Sequence, residues 1–295
     1  MLNNDIYALL NTVVLVILPF TGWLAASLIA LVTLRKGLKA GAMLLAPAMI
    51  AQFIVLKTTL SIEGAIIGCV LSYFPCYLAA GVLSFTTRWR SVACMLFVLV
   101  LLAMSLIHLL QPELVTQQYL FLLETLRQLQ FENILSLLDK HTNPTDQAIF
   151  ANYLIGIQAA GVAVSALVSL VFARFLQSRI FYPEGFKQEM RLLRARKVDL
   201  LVFFMTLFAA KQHYVLAVDM LPILMLFFII AGLSLWFDCM AMKGMFIPML
   251  VLSVALGFLP QILLPVYVLI GLLDTLVNFR LYLSRRAGKA IREVK

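Results

Sequence analysis

The chain has 295 residues, of which 63% are hydrophobic and 13% charged, with a mean hydropathy of +1.01 and a formal net charge of +9. So much apolar surface exceeds what a water-soluble fold of this length hides, which excludes an ordinary globular enzyme or binding domain. In a chain of this kind, excess Lys and Arg speaks first of membrane topology and anionic lipid, and nucleic acid is not an expected partner.

No sustained polar/apolar alternation appears, so the backbone is expected to satisfy its hydrogen bonds in lipid as helices rather than as a barrel. A span needs about 20 apolar residues. The breaks between runs give candidates at 6–34, 40–56, 62–84, 92–110, 150–173, 199–216, 219–241, 245–259 and 262–282. The expected fold is an all-α polytopic bundle of 8–9 spans forming a single integral membrane domain over 1–295. The stretch MLNNDIY lacks the basic start of a cleavable signal, so the first helix is expected to be retained. That run is long enough to tilt, or to break at Pro19 within "PFTG". The final 39-residue apolar run is divided at "FLPQILLP", where Pro260 and Pro265 favour a turn.

Between the fourth and fifth spans, residues 111–149 are acidic. Tyr119, Leu122, Leu126, Leu129, Asn133 and Leu137 recur there at helical spacing, as in an amphipathic helix on the outer face. "HTNPTDQ" then offers Asn143 as helix cap and Pro144 as first helical residue of the fifth span. The inner counterpart is a basic interfacial helix within 176–198. Lys187, Arg191, Arg194, Arg196 and Lys197 crowd its surface, and Phe186, Met190 and Leu193 form an apolar edge. It is read as a topology anchor on anionic phospholipid, or as a docking surface for a partner. With the N-terminus outside, alternation puts nineteen basic residues on the inner side and four on the outer. This bias predicts a cytoplasmic C-terminus.

"YPEGFKQEMRLLR" (182–194), followed by further helical segments and then "GLLDTLVNFR" (271–280), resembles the YybS-like family of bacterial multi-pass membrane proteins. "LVTLRKGLKAGAMLLAPAMIA" and "LSYFPCYLAAGVLSFTTRWRS" are similar to that family's early helices. The resemblance implies an architecture like the substrate-binding components of energy-coupling-factor vitamin transporters and the MreD-type rod-shape proteins. It implies no activity.

Polar groups inside spans are costly and are usually turned inward or paired. Asp274, Asn278 and Arg280 sit near the end of the last span, and Asp238 sits at the same predicted level of the seventh. Asp274 is expected either to pair with a cation of a neighbouring helix or of 191–197, or to join Asn278, Arg280 and Asp238 in holding a substrate or a coupled proton. Gln158, in "GIQAAG", is the mid-membrane candidate for the same pocket. His108, His141 and His213 fall on the outer side, where with Glu63 or Asp219 they would bind protons, but no HxxxH or HExxH spacing supports a metal. The four cysteines lack CxxC spacing and are read as packing residues. Small-residue pairs Ala26/Ala30, Gly37/Gly41 and Ala42/Ala46 are read as helix contacts. No P-loop, GxSxG or His/Cys cluster is present, so neither enzymatic activity nor a cofactor is expected. The first functional expectation is a small-molecule-binding or transport component that depends on a membrane-protein partner or an ion gradient. The alternative is a non-transport scaffold in cell-envelope or cell-division assembly.

Overall fold

The computed structural model describes residues 5–111, 113–130, 144–181, 185–191, 193–243, 251, 254–255, 258–277 and 279. Eleven helices are found among them: α1 (Asp5–Ile17), α2 (Gly22–Lys36), α3 (Leu38–Lys57), α4 (Ile62–Thr86), α5 (Trp89–Leu110), α6 (Glu113–Gln128), α7 (Pro144–Phe181), α8 (Gly185–Arg191), α9 (Lys197–Lys211), α10 (Val215–Lys243) and α11 (Pro260–Leu276). Among the described residues there is no strand.

Among the described residues, five helices are long and apolar enough to cross a membrane: α3, α4, α5, α7 over Gln147–Ile180, and α10 over Val215–Trp236. Ile6–Ile17 and Leu263–Leu276 are shorter apolar helices. The helix α5 is apolar on two faces. Val92, Leu96, Val100 and Met104 are buried, whereas Val98, Leu102 and Leu106 are exposed. A helix apolar on both faces packs against protein with one and meets hydrocarbon with the other.

Each break has a local cause. Pro19 lacks an N–H, and Phe20 takes a left-handed φ of 64°. Thr21 Oγ1 donates to the carbonyls of Leu15 (2.5 Å) and Leu18 (3.0 Å), partnering acceptors that the ended helix leaves free. The first apolar run is therefore two short helices. Gly37, at φ +88°, separates α2 from α3, a conformation that side chains other than glycine's strain to adopt. Ser61 caps α4 by accepting the Gly64 N–H at 3.2 Å. Near "FLPQILLP", α11 starts with Leu259 as its N-cap and Pro260 in its first turn, while Pro265 stays inside the helix. The apolar run 245–259 lies mostly outside the described residues.

The chain divides into two compact units, residues 1–102 with 158–189, and 103–157 with 190–295. In the first, α2, α3 and α4 pack together and α1 lies against α2 and α3. Ala26 and Ala30 are buried, and the Cys76 thiol points to the Ala26 carbonyl at 3.7 Å. Gly41 is buried at the same seam, but Ala42 and Ala46 are exposed, so only part of the small-residue pattern makes contacts. A methyl on Gly41 would overlap Thr33 Oγ1, which donates to Ile29 O at 2.7 Å. Gly41→Ala is expected to cost about 1–3 kcal/mol. Adding Thr33→Ala, which removes the obstructing hydroxyl, is expected to recover most of it in a thermal melt.

In the second unit, α10 packs along α11 and α9 lies against both. Gly232 and Gly271 face one another at the α10/α11 crossing, where a methyl on either would overlap the Tyr267 or Phe228 carbonyl oxygen. In the same unit α6 covers its Val115 and Tyr119 side and leaves Leu120 and Phe121 outward. The Tyr119 ring meets Phe150 of α7 edge-on, with centroids 6.1 Å apart. The amphipathic stripe is thus helical as far as Gln128, and Asn133 and Leu137 lie outside the described residues. Pro144 does begin α7, and its expected cap, Asn143, lies outside them as well.

Candidate functional site

Asp274 lies in α11's final turn, two residues before its last residue, and is 1% exposed. The last four carbonyls of a helix have no intrahelical partner, and their end carries partial negative charge. Arg194, in the non-helical stretch between α8 and α9, supplies what that end lacks. Its Nη2 and Nε donate to the Asp274 carbonyl at 2.6 and 3.2 Å, and Nε lies 3.6 Å from carboxylate Oδ2. One guanidinium therefore caps a helix end and neutralises a buried carboxylate. It comes from the 191–197 segment, where a pairing cation was expected.

The same segment is tied down at both ends. Met190 O accepts from Ser234 Oγ of α10 at 2.7 Å, and Asp199 Oδ2 accepts the Arg196 N–H at 2.8 Å. Arg196 and Lys197 are exposed. The Lys187 and Arg191 side chains lie outside the described residues, as do those of Asp238, Asn278 and Arg280. Asp238 falls on α10, which packs along α11. Gln158 is on the exposed side of α7 and belongs to the first compact unit, whereas Asp274 belongs to the second. Of its flanking glycines, Gly156 is packed tightly and Gly161 faces open space.

Gly156 leads to a second polar centre within the same unit. A methyl there would overlap the Asp219 carbonyl, so α7 and α10 meet backbone to backbone. Asp219 is 0% exposed, and its Oδ2 lies 2.6 Å from His108 Nε2 at the end of α5. One turn before Gly156, Asn152 is also buried. Its Nδ2 donates to Ala148 O at 2.8 Å, while its Oδ1 and Asp219 Oδ1 have no hydrogen-bond partner. The histidine count pointed to this side of the chain, but nothing in the spacing between 108 and 219 singled out the pair.

The first unit holds a third cluster that the sequence did not single out. Arg174 of α7 makes a two-point contact with the Glu189 carboxylate, with Nη2 on Oε1 and Nε on Oε2, the latter at 3.1 Å. Arg174 Nη1 also donates to Gln177 Oε1 at 2.7 Å, and Trp89 Nε1 donates to Glu189 Oε2 at 3.2 Å. Phe186 stacks edge-on against Phe175. A cavity of about 220 Å³ is lined by Arg174, Gln177, Ser178, Gly185, Phe186 and Glu189. Chemically, all three centres bind or neutralise charge, and none of them pairs a nucleophile with a base. Among the described residues, no group of three or more His, Cys, Asp or Glu stands ready for a metal. No family model, curated protein or solved structure matches the chain.

Proposed function

We propose that the chain is a YybS-like multi-pass protein of a bacterial cytoplasmic membrane, N-terminus outside and C-terminus inside, that binds or transports a small molecule without an ATPase of its own. The carrying observation is Asp274. It is a fully buried carboxylate on an apolar helix, met by an Arg194 side chain that keeps 30% of its surface exposed. An ionisable residue buried inside a membrane protein is expensive and marks substrate or ion pathways. A guanidinium held at one edge of the pair is free to exchange the carboxylate for a charged group of a ligand. Asn278, Arg280, Asp238 and Gln158 remain the proposed companions. Lys187, Arg191, Arg196 and Lys197 are the proposed contacts with anionic headgroups.

Pairing supports the proposed alternation of spans. His108 meets Asp219, and both positions are assigned to the outer side by charge counting. Arg194 meets Asp274 and Arg174 meets Glu189, and all four are assigned to the inner side. Asp274→Asn is expected to abolish uptake, or ligand-induced thermal stabilisation, while the protein still inserts. The ligand itself is to be found by mass spectrometry of whatever small molecule stays bound through purification. A variant that inserts and retains full uptake would sink the reading.

The scaffold reading has one observation in its favour. Arg194 uses its fork on a helix-end carbonyl, which is a structural task. In that case Asp274→Asn leaves binding untouched, and deleting 111–149, with its outward Leu120 and Phe121, strips envelope proteins from the purified chain.

A further inference from the structure

The His108 and Asp219 pair is built unlike a static ion pair. Asp219 has no exposed surface, whereas the His108 side chain keeps 22% of its own. The imidazole is thus the only described contact of the carboxyl group that also reaches the surface of the chain. Asp219 Oδ1 and the nearby Asn152 Oδ1, both buried, accept no hydrogen bond. A buried acceptor without a donor is costly when the carboxylate is ionised, and the cost falls when a proton arrives. With one proton the pair is neutral, as imidazolium with carboxylate or as imidazole with carboxylic acid. Without it, one net negative charge is left among apolar helices. Gly156 holds the Asp219 backbone in place by close contact with α7.

The half of α7 that holds Gly156 carries Asp146 and Tyr153, and α6 carries Glu113, Tyr119, Glu124 and Arg127. Lys211, His213 and Tyr214, all exposed, precede α10, and Asp199 lies at the far end of α9. α11 carries Tyr267 and Asp274, the latter engaged with Arg194. Among the described contacts only His108 touches the Asp219 carboxylate.

We propose that His108 and Asp219 form a proton-exchange site, in which His108 takes a proton at the surface and passes it to and from the buried carboxylate. In the inward step the Nε2–H bond of the imidazolium breaks and an O–H bond forms on Asp219 Oδ2. The ring is left neutral with its remaining proton on Nδ1, and the release step reverses this. The site stands whether or not a small molecule is carried.

The test uses the full chain in lipid nanodiscs, followed by infrared difference spectroscopy across a jump from about pH 9 to about pH 5, the range over which imidazole changes charge. The expected result is a carboxylic-acid carbonyl band that is present in the wild type and lost in Asp219→Asn. In His108→Gln, which keeps a donor facing the carboxylate, the band is expected to appear roughly a hundredfold more slowly. A band that survives in Asp219→Asn, or an unchanged rate in His108→Gln, overturns the proposal. Should Asp219→Asn not fold, nitrogen NMR of the wild-type histidines replaces it. His108 ring signals that move with the carboxyl signal support the site, and ring signals that stay constant over the same range overturn it.

Discussion

Gly271→Leu is expected to be the most damaging single change in the chain, leaving little monodisperse protein after extraction. At the α10/α11 crossing each glycine lies beneath a carbonyl of the other helix, Gly232 beneath Tyr267 and Gly271 beneath Phe228. The obstructing atoms are backbone, so no rotamer change makes room and the helices must separate. Separation undoes the burial of Phe228 and Tyr267, which are 0% and 1% exposed. Helix association in lipid draws on close packing rather than on water-driven burial, so a widened seam loses its main attraction. Overpacking costs about 1–3 kcal/mol where side chains yield, and here they cannot. Gly271→Ala is expected to show a graded form of the same defect. The measurement is the melting temperature of purified protein with size-exclusion behaviour, and a wild-type melt for Gly271→Leu would refute the close crossing.

Removing Arg194 is expected to have the next largest effect. Arg194→Ala withdraws two hydrogen bonds from the Asp274 carbonyl and the nearby positive charge from its carboxylate. The expected loss is on the order of 2 kcal/mol, the scale for hydrogen bonds made by a charged donor. The sign of the double mutant is the sharper test. Asp274→Asn removes the charge that Arg194 balances, so Arg194→Ala with Asp274→Asn is expected to be more stable than Arg194→Ala alone. If the two losses simply add, the guanidinium serves the carbonyl only and the carboxylate is balanced elsewhere. Arg194→Lys is expected to recover little, because an ammonium lacks the planar fork that reaches carbonyl and carboxylate together.

The sequence carried the helical class well and the sites unevenly. Apolar runs give helices directly, and Pro19, Gly37 and Pro260 mark real breaks because each removes a donor or supplies a conformation that the helix cannot continue. Pro265 was a poorer signal. It lies in the second turn of α11, where the run simply continues around it. The cation for Asp274 was legible as a segment, 191–197, because opposite charges on one side of a membrane tend to meet. That it would be Arg194, and that the fork would go to a backbone carbonyl, depends on where α11 ends and is invisible to spacing. Gly232 and Gly271 sit 39 positions apart in runs of ordinary apolar residues, so no short pattern announces that they touch. His108 and Asp219 likewise become neighbours only through tertiary packing. The glycines that flank Gln158 are unequal in a way spacing does not show, since Gly156 packs against the Asp219 carbonyl and Gly161 faces open space.

The 38 unbroken residues of α7 set a limit on the lipid around them. At 1.5 Å per residue the helix is about 57 Å long, nearly twice a hydrocarbon core of about 30 Å. Even inclined by about 40°, the steepest common slope, it stands about 44 Å tall, as much as an entire leaflet pair with its headgroups. A helix of this length that crosses the bilayer puts both tips into water whatever the slant. Single cysteines placed at Gln147 and Arg179 should react with water-borne maleimides from opposite faces of one vesicle, making this strut a built-in ruler of bilayer thickness.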